Sequence, residues 1–139
     1  MSKLRILSVD DQDFITQHTL VRGLRDCFEV ELCSSIEDSF SLLRTKCFHA
    51  LLLDHNLGPQ FPNSSKFIPS YLQEFPFLFI VLVTHGDDDQ KISEALALGA
   101  SSYIVKSKSI CRDVLSQMNL RFNRPFYDFL NSTSSLEKR

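Results

Sequence analysis

The stretch "VLVTHGDDDQKISEALALGASSYIVK", residues 81–106, decides the fold. It begins inside an apolar run, "FLFIVLV" (77–83), rich in the Phe, Ile and Val that suit strands and far too short to span a bilayer. Residues 87–98 then place Ile92, Ala95 and Leu96 at helical spacing behind three aspartates. Those acids suit the positive end of a helix, and Gly99 suits its stop. A second short run, "SYIV" (102–105), closes the unit just before Lys106. Strand, helix and strand in this order predict two parallel strands joined by a helical crossover.

The same alternation extends back to the N-terminus. Apolar runs at 4–9, 29–33 and 49–53 bring the predicted strands to five. The third and fourth are almost continuously apolar, as strands covered on both faces should be, and "FPFLFI" is expected in the core. Helical spacing recurs between them. Residues 14–28 carry Leu20, Leu24 and Cys27, with Phe14, Val21 and Phe28 widening the face. Residues 36–46 carry Ile36, Phe40 and Leu43 behind Glu37 and Asp38. Residues 65–75 carry Ile68, Tyr71, Leu72 and Phe75, and Pro69 confines the start of that helix to Ser65 or beyond. Residues 108–122 carry Cys111, Val114, Leu115, Met118 and Phe122. Five strand–helix repeats predict an α/β, doubly wound (βα)5 sandwich with a parallel sheet. The domain is expected to span 1–122. "NRPFYDFLNSTSSLEKR" (123–139) begins with a helix-ending Arg124–Pro125 step and reads as a C-terminal extension or linker.

A chain of 139 residues, 43% hydrophobic and 23% charged, can bury one core without staples. Its net charge of −2 and lack of a basic stripe argue against direct nucleic-acid binding. Cys27, Cys33, Cys47 and Cys111 form no C-x-x-C pair, so buried, reduced thiols of a cytoplasmic protein are expected. "MSKLRILSVDD" has no signal-peptide pattern, and no membrane insertion is expected.

Function in such sheets collects at the carboxyl ends of the strands. Here those ends carry Asp10 and Asp11, Asp54, Thr84 and Lys106. Singly each has an ordinary reading: a helix cap (better filled by Asp13), a turn residue, a β-residue, a solvated lysine. In strand order 2-1-3-4-5 they converge. Like charges about 4 Å apart repel by roughly 1 kcal/mol in water, and by several times that at an effective dielectric near 20. A hard divalent cation, Mg²⁺, relieves that repulsion, and Lys106 adds a second positive charge. A phosphoryl group is the ligand that uses both. "DDDQ" (87–90) reads as a solvated helix start and His18 as a packing residue. His49 is expected to open the third strand and His55 to line the site's rim.

"VDD" (9–11), "LLLDHNL" (51–57), the 81–106 block and the helix after it resemble, in this order and spacing, the receiver domain of bacterial two-component response regulators, chemotaxis-regulator-like. The resemblance covers roughly 3–122 and implies a flavodoxin-like fold with sheet order 2-1-3-4-5. It implies that Asp54 accepts a phosphoryl group from a phosphohistidine. It implies that Asp10, Asp11, Asp54 and the backbone carbonyl of Asn56 hold Mg²⁺, and that Lys106 and Thr84 bind phosphoryl oxygens. Thr84 and Tyr103 would form the switch. The implied partners are a sensor histidine kinase or phosphotransfer protein, and a downstream protein or output domain on the face of helix 4, strand 5 and helix 5. The protein would be a monomer or weak dimer, and no conventional enzyme, catalysing only its own phosphorylation and dephosphorylation. The chain departs from the pattern in three places. Ser107 replaces the usual proline, and the bond before it is expected to be trans, or a strained cis held by the site. Gly58 stands four residues after the acceptor, where a proline is usual, and Pro59 follows it. The large His85 follows Thr84 and is expected to crowd access to the phosphoryl site. These departures keep open an alternative, a receiver-like docking module acting without phosphorylation. A metal-dependent phosphohydrolase is disfavoured, because "DHN" puts Asn56 where a second carboxylate is usual.

Overall fold

The computed structural model describes residues 3–11, 14–59, 61–86 and 88–122, with the backbone alone at 14–16. Asp13, Asp87 and the extension 123–139 lie outside the described residues. The order is β1 (Leu4–Val9), α1 (Phe14–Leu24), β2 (Phe28–Cys33), α2 (Ile36–Thr45), β3 (Ala50–Asp54), α3 (Ile68–Glu74), β4 (Phe79–Thr84), α4 (Asp89–Leu98), β5 (Ser102–Val105) and α5 (Ile110–Arg121). A 3-10 turn, Ser64–Phe67, leads into α3. The five strands form one parallel sheet of order β2-β1-β3-β4-β5, the doubly wound flavodoxin-like arrangement.

Strand alternation divides the core between the two faces of the sheet. Leu7, Leu51, Leu53, Ile80 and Leu82 meet Ile36 and Leu43 of α2, Ile68 and Tyr71 of α3 and Ala95 of α4. Ile6, Leu52, Val81 and Val83 face Leu20 and Leu24 of α1 and Val114 and Met118 of α5. The register sets the strand ends. Val9 lies opposite Leu53, Asp54 opposite Val83, and Thr84 opposite Val105. The residues just past or at those ends (Asp10, Asp54, Thr84 and Lys106) therefore emerge along one edge of the sheet.

Several expectations need correction. The first helix stops at Leu24, so Cys27 falls in a turn and Phe28 opens β2. β3 begins at Ala50 rather than His49, although His49 is tied to β1 by its Nδ1, which accepts from the Arg5 N–H at 3.0 Å. His18 is exposed and does not pack in the core. Cys47 is exposed, and Cys27, Cys33 and Cys111 are half-buried; none of the four is in a disulfide. Phe77 is 88% exposed, because the strand starts two residues later and leaves it on the preceding turn. α4 buries Ile92 and Ala95 but leaves Leu96 in solvent. The segment holding Pro69 divides as proline requires: the 3-10 turn comes first, and Pro69 sits in the first turn of α3. Among the described residues, no helix is long and apolar enough to cross a membrane.

Helix ends follow the local chemistry. Ser35 caps α2 by accepting from the Asp38 N–H, and Asp88 caps α4 by accepting from Gln90 and Lys91. Gly99 ends α4 at φ 117°, where a Cβ would also press into Leu72 at 2.5 Å. The α2–α3 seam is locked by Tyr71, whose ring stacks on Phe40 with centroids 4.4 Å apart. Its buried hydroxyl lies 2.6 Å from Ser39 Oγ, which donates in turn to the Ile36 carbonyl. Tyr71→Phe removes one buried hydrogen bond while Ser39 keeps another. We expect a loss of about 1 kcal/mol in urea unfolding, with the slope unchanged; no loss would show that the hydroxyl pair contributes nothing net.

Candidate functional site

β1 and β3 deliver three carboxylates to the sheet's carboxyl edge. Asp10 and Asp54 are buried, Asp11 is half-buried, and one oxygen from each falls within a sphere in which no pair is more than 4.8 Å apart. Lys106, just past β5, reaches across with Nζ 2.7 Å from Asp10 Oδ2 and 3.3 Å from Asp54 Oδ2. Its backbone N–H is fixed by the Thr84 carbonyl at 2.7 Å. All three side chains of this ammonium-bridged pair are at most 7% exposed. The Lys106–Ser107 bond is trans, so the ammonium reaches the acids without the cis bend that a proline would favour. Asp10, Asp11, Asp54, Asn56, His85 and Lys106 line one open cavity of about 660 Å³.

The charges do not balance. Burial pushes the Asp54 carboxyl up to about 6; Lys106 pulls it down, and neighbouring Asp10 raises it again. Among the described residues, one ammonium faces three carboxylates. The donor set is all hard oxygen, clustered within coordination reach and open to the cavity for retained waters. That set fits a divalent cation of the Mg²⁺ or Ca²⁺ type.

The loop after β3 shapes the rest. Asp54 Oδ1 accepts from the Asn56 N–H at 3.4 Å, and Asn56 Oδ1 accepts from the Gly58 N–H at 3.0 Å. Gly58 has φ 96°, and a Cβ there would stand 2.9 Å from Asp11 Oδ2. The backbone thus favours glycine here, and any side chain would also have to push the Asp11 carboxylate aside. Ser64 Oγ donates to the Asp54 carbonyl at 2.5 Å. On the other side of the site, Gln17 Nε2 donates to the Asp10 carbonyl at 2.5 Å.

The remaining expected residues divide. Thr84 is buried at the end of β4, but its hydroxyl donates to the Gly86 carbonyl at 2.8 Å and does not line the cavity. His85 is exposed and lines the cavity. Tyr103, on the edge strand opposite Leu82, is 39% exposed. His55 does not line the rim. It is buried towards α4, its Nε2 has no hydrogen-bond partner among the described residues, and burial and then the charge of Lys91 push its pKa down. Sequence reasoning missed Gln17 and Ser64. Gln17 had a signal, since it precedes Leu20 by three and so puts an amide on the apolar face of α1.

No family model and no curated protein matches the chain. Solved structures do. A two-component response regulator from Clostridium difficile superposes with a TM-score of 0.77 at 18% identity, over 88% of this chain and 98% of that one. The chain has the fold of receiver domains. The Vibrio cholerae chemotaxis protein CheY4 gives 0.75 at 20% identity, over 85% of this chain and 98% of that one. A Burkholderia pseudomallei response regulator with a phosphorylated aspartic acid and a calcium ion gives 0.73 at 19% identity, over 98% and 72%.

The raised carboxyl of Asp54 has a pH signature. The folded protein holds this proton more tightly than the unfolded chain between the ordinary value of 3.8 and about 6. Stability therefore falls as pH rises through that window, and the loss is complete above it. Asp54→Asn carries no such loss. In chelator, that variant is expected to melt above wild type near about pH 7.5, with the gap narrowing towards about pH 4.5. Thermal melts across this range check it; a variant that melts lower at the upper pH contradicts it.

Proposed function

We propose that the protein is a phosphoacceptor receiver of a cytoplasmic two-component phosphorelay, phosphorylated on Asp54 in a Mg²⁺-dependent reaction. The observation that carries this reading is the meeting of Asp10, Asp11 and Asp54 with the buried ammonium of Lys106 in one open cavity. The receiver fold around it adds support, because this edge is where that fold presents its carboxylates.

The donor would be the phosphohistidine of a sensor histidine kinase or phosphotransfer protein. A carboxylate oxygen of Asp54 attacks phosphorus as the P–N bond to the imidazole breaks in line. The imidazole leaves and takes up a proton, and Asp54 becomes an acyl phosphate. Asp10, Asp11, Asp54 and the Asn56 carbonyl would hold Mg²⁺, which when bound supplies charge neutralisation for the transferring phosphoryl oxygens. Lys106 exchanges part of its contact with Asp10 and Asp54 for those same oxygens. Thr84 releases Gly86 and turns its hydroxyl to the phosphoryl group, drawing Tyr103 inward. The face of α4, β5 and α5 is thereby remodelled for a downstream protein or output domain; Leu96 and Tyr103 already stand exposed there. The protein catalyses no reaction besides its own phosphorylation and dephosphorylation.

Incubation with Mg²⁺ and a small acyl phosphate should add the mass of one phosphoryl group to wild type. It should add none to Asp54→Ala, and none in chelator. A wild type that binds the cation yet stays unmodified would contradict this reading and favour a docking module acting without phosphorylation.

His85 should set the lifetime of the acyl phosphate, because its imidazole stands on the wall through which water reaches Asp54. His85→Ala opens that wall and is expected to dephosphorylate several-fold faster. Equal rates for the two proteins would show that His85 is a bystander.

A further inference from the structure

The two buried acids of the site face each other with like charge at the ends of neighbouring strands, where the sheet's hydrogen-bond ladder runs out. Their carboxylates stay close only if their backbones do. Asp10 is held on both sides: its N–H donates to the Cys33 carbonyl of β2 at 3.1 Å, and its carbonyl accepts from Gln17 Nε2 of α1 at 2.5 Å. Asp54 is held through its carbonyl by Ser64 Oγ at 2.5 Å, and the same serine donates its N–H to the next carbonyl, that of His55, at 2.8 Å. Gln17 is 7% exposed and Ser64 fully buried. A residue that merely filled these places would be apolar. A buried polar group is costly unless it is bonded, and each of these donors is used on the backbone carbonyl of a site acid.

We propose that Gln17 and Ser64 are positioning residues for the cation site. They clamp the backbones of Asp10 and Asp54, so that mutual repulsion cannot splay the strand ends before a cation arrives. The inference rests on the reading of the acid cluster as a divalent-cation site. Preorganisation of this kind lowers the cost of binding, because the ligands need not be drawn together when the metal enters. α1 and the 3-10 turn before α3 approach from opposite faces of the sheet, so the clamp spans both layers of the fold. Neither residue touches the metal or the phosphoryl group in this account. Each acts through the acid whose carbonyl it holds.

The test is Mg²⁺ titration by calorimetry on the full chain, with urea unfolding run in parallel to confirm that each variant is folded. Ser64→Ala and Gln17→Leu remove one donor each from opposite sides of the site, and Ser64→Thr keeps the hydroxyl. Each deletion is expected to weaken Mg²⁺ binding about tenfold, the lower end of what lost outer partners of metal ligands cost. Ser64→Thr should stay within about twofold of wild type. A merely structural role would lower the urea midpoint and leave the Mg²⁺ dissociation constant unmoved in both deletions, and that result overturns the proposal. Wild type that binds no Mg²⁺ overturns the cation reading itself and this proposal with it, an outcome plainly separate from a defect confined to the variants.

Discussion

A single buried ammonium, Lys106 Nζ at 2.7 Å from Asp10 and 3.3 Å from Asp54, is the interaction on which the site depends. Without it, adjacent strands would end in facing carboxylates inside a low-dielectric edge, an arrangement the fold could not hold cheaply. With it, among the described residues, one acid is balanced and two remain in excess. Burial, with a smaller push from Asp10, holds the Asp54 carboxyl up at about 6 against the pull of Lys106, and the excess of acids makes the cavity favourable for a cation. The parallel sheet supplies the geometry: only the β2-β1-β3-β4-β5 order brings the ends of β1, β3, β4 and β5 into succession along one edge.

Most of this was legible in the sequence, for physical reasons. Strand β1 at 4–9 and β5 at 102–105 stand where the apolar runs put them, because each is bounded by a charged residue that cannot continue into the core. Asp88 and Gly99 bracket α4 through capping chemistry that is local and so can be read locally. The misreadings came where tertiary context decides. His18 and Leu96 have helical spacing but lie on the flanks of their apolar faces, and only the packing of neighbouring helices leaves them exposed. Phe77 looks like core by composition, yet the turn after α3 leaves it in solvent. At the site, the acids and the lysine could be placed from strand ends alone. Ser64 could not, because its hydroxyl acts on a backbone carbonyl that no side-chain pattern marks; Gln17 left only the hint of an amide on the apolar face of α1, not the carbonyl it holds.

The departures from the receiver pattern acquire physical meaning in the structure. Gly58 is no defect in the loop: at φ 96° any other residue would be strained, and its Cβ would displace the Asp11 carboxylate, 2.9 Å away. Ser107 follows a trans bond, and Lys106 still reaches both acids. His85 stands exposed among the residues that line the cavity. The core of the site is thus built around substitutions that change its rim.

The most direct measurement of the central claim is anomalous scattering from crystals soaked in Mn²⁺, a scattering substitute for Mg²⁺. The account predicts one strong peak within about 2.0–2.6 Å of carboxylate oxygens from Asp10, Asp11 and Asp54, with Lys106 displaced from at least one of them. A protein that takes up no Mn²⁺ at that edge, with Lys106 still bridging Asp10 and Asp54, would contradict it.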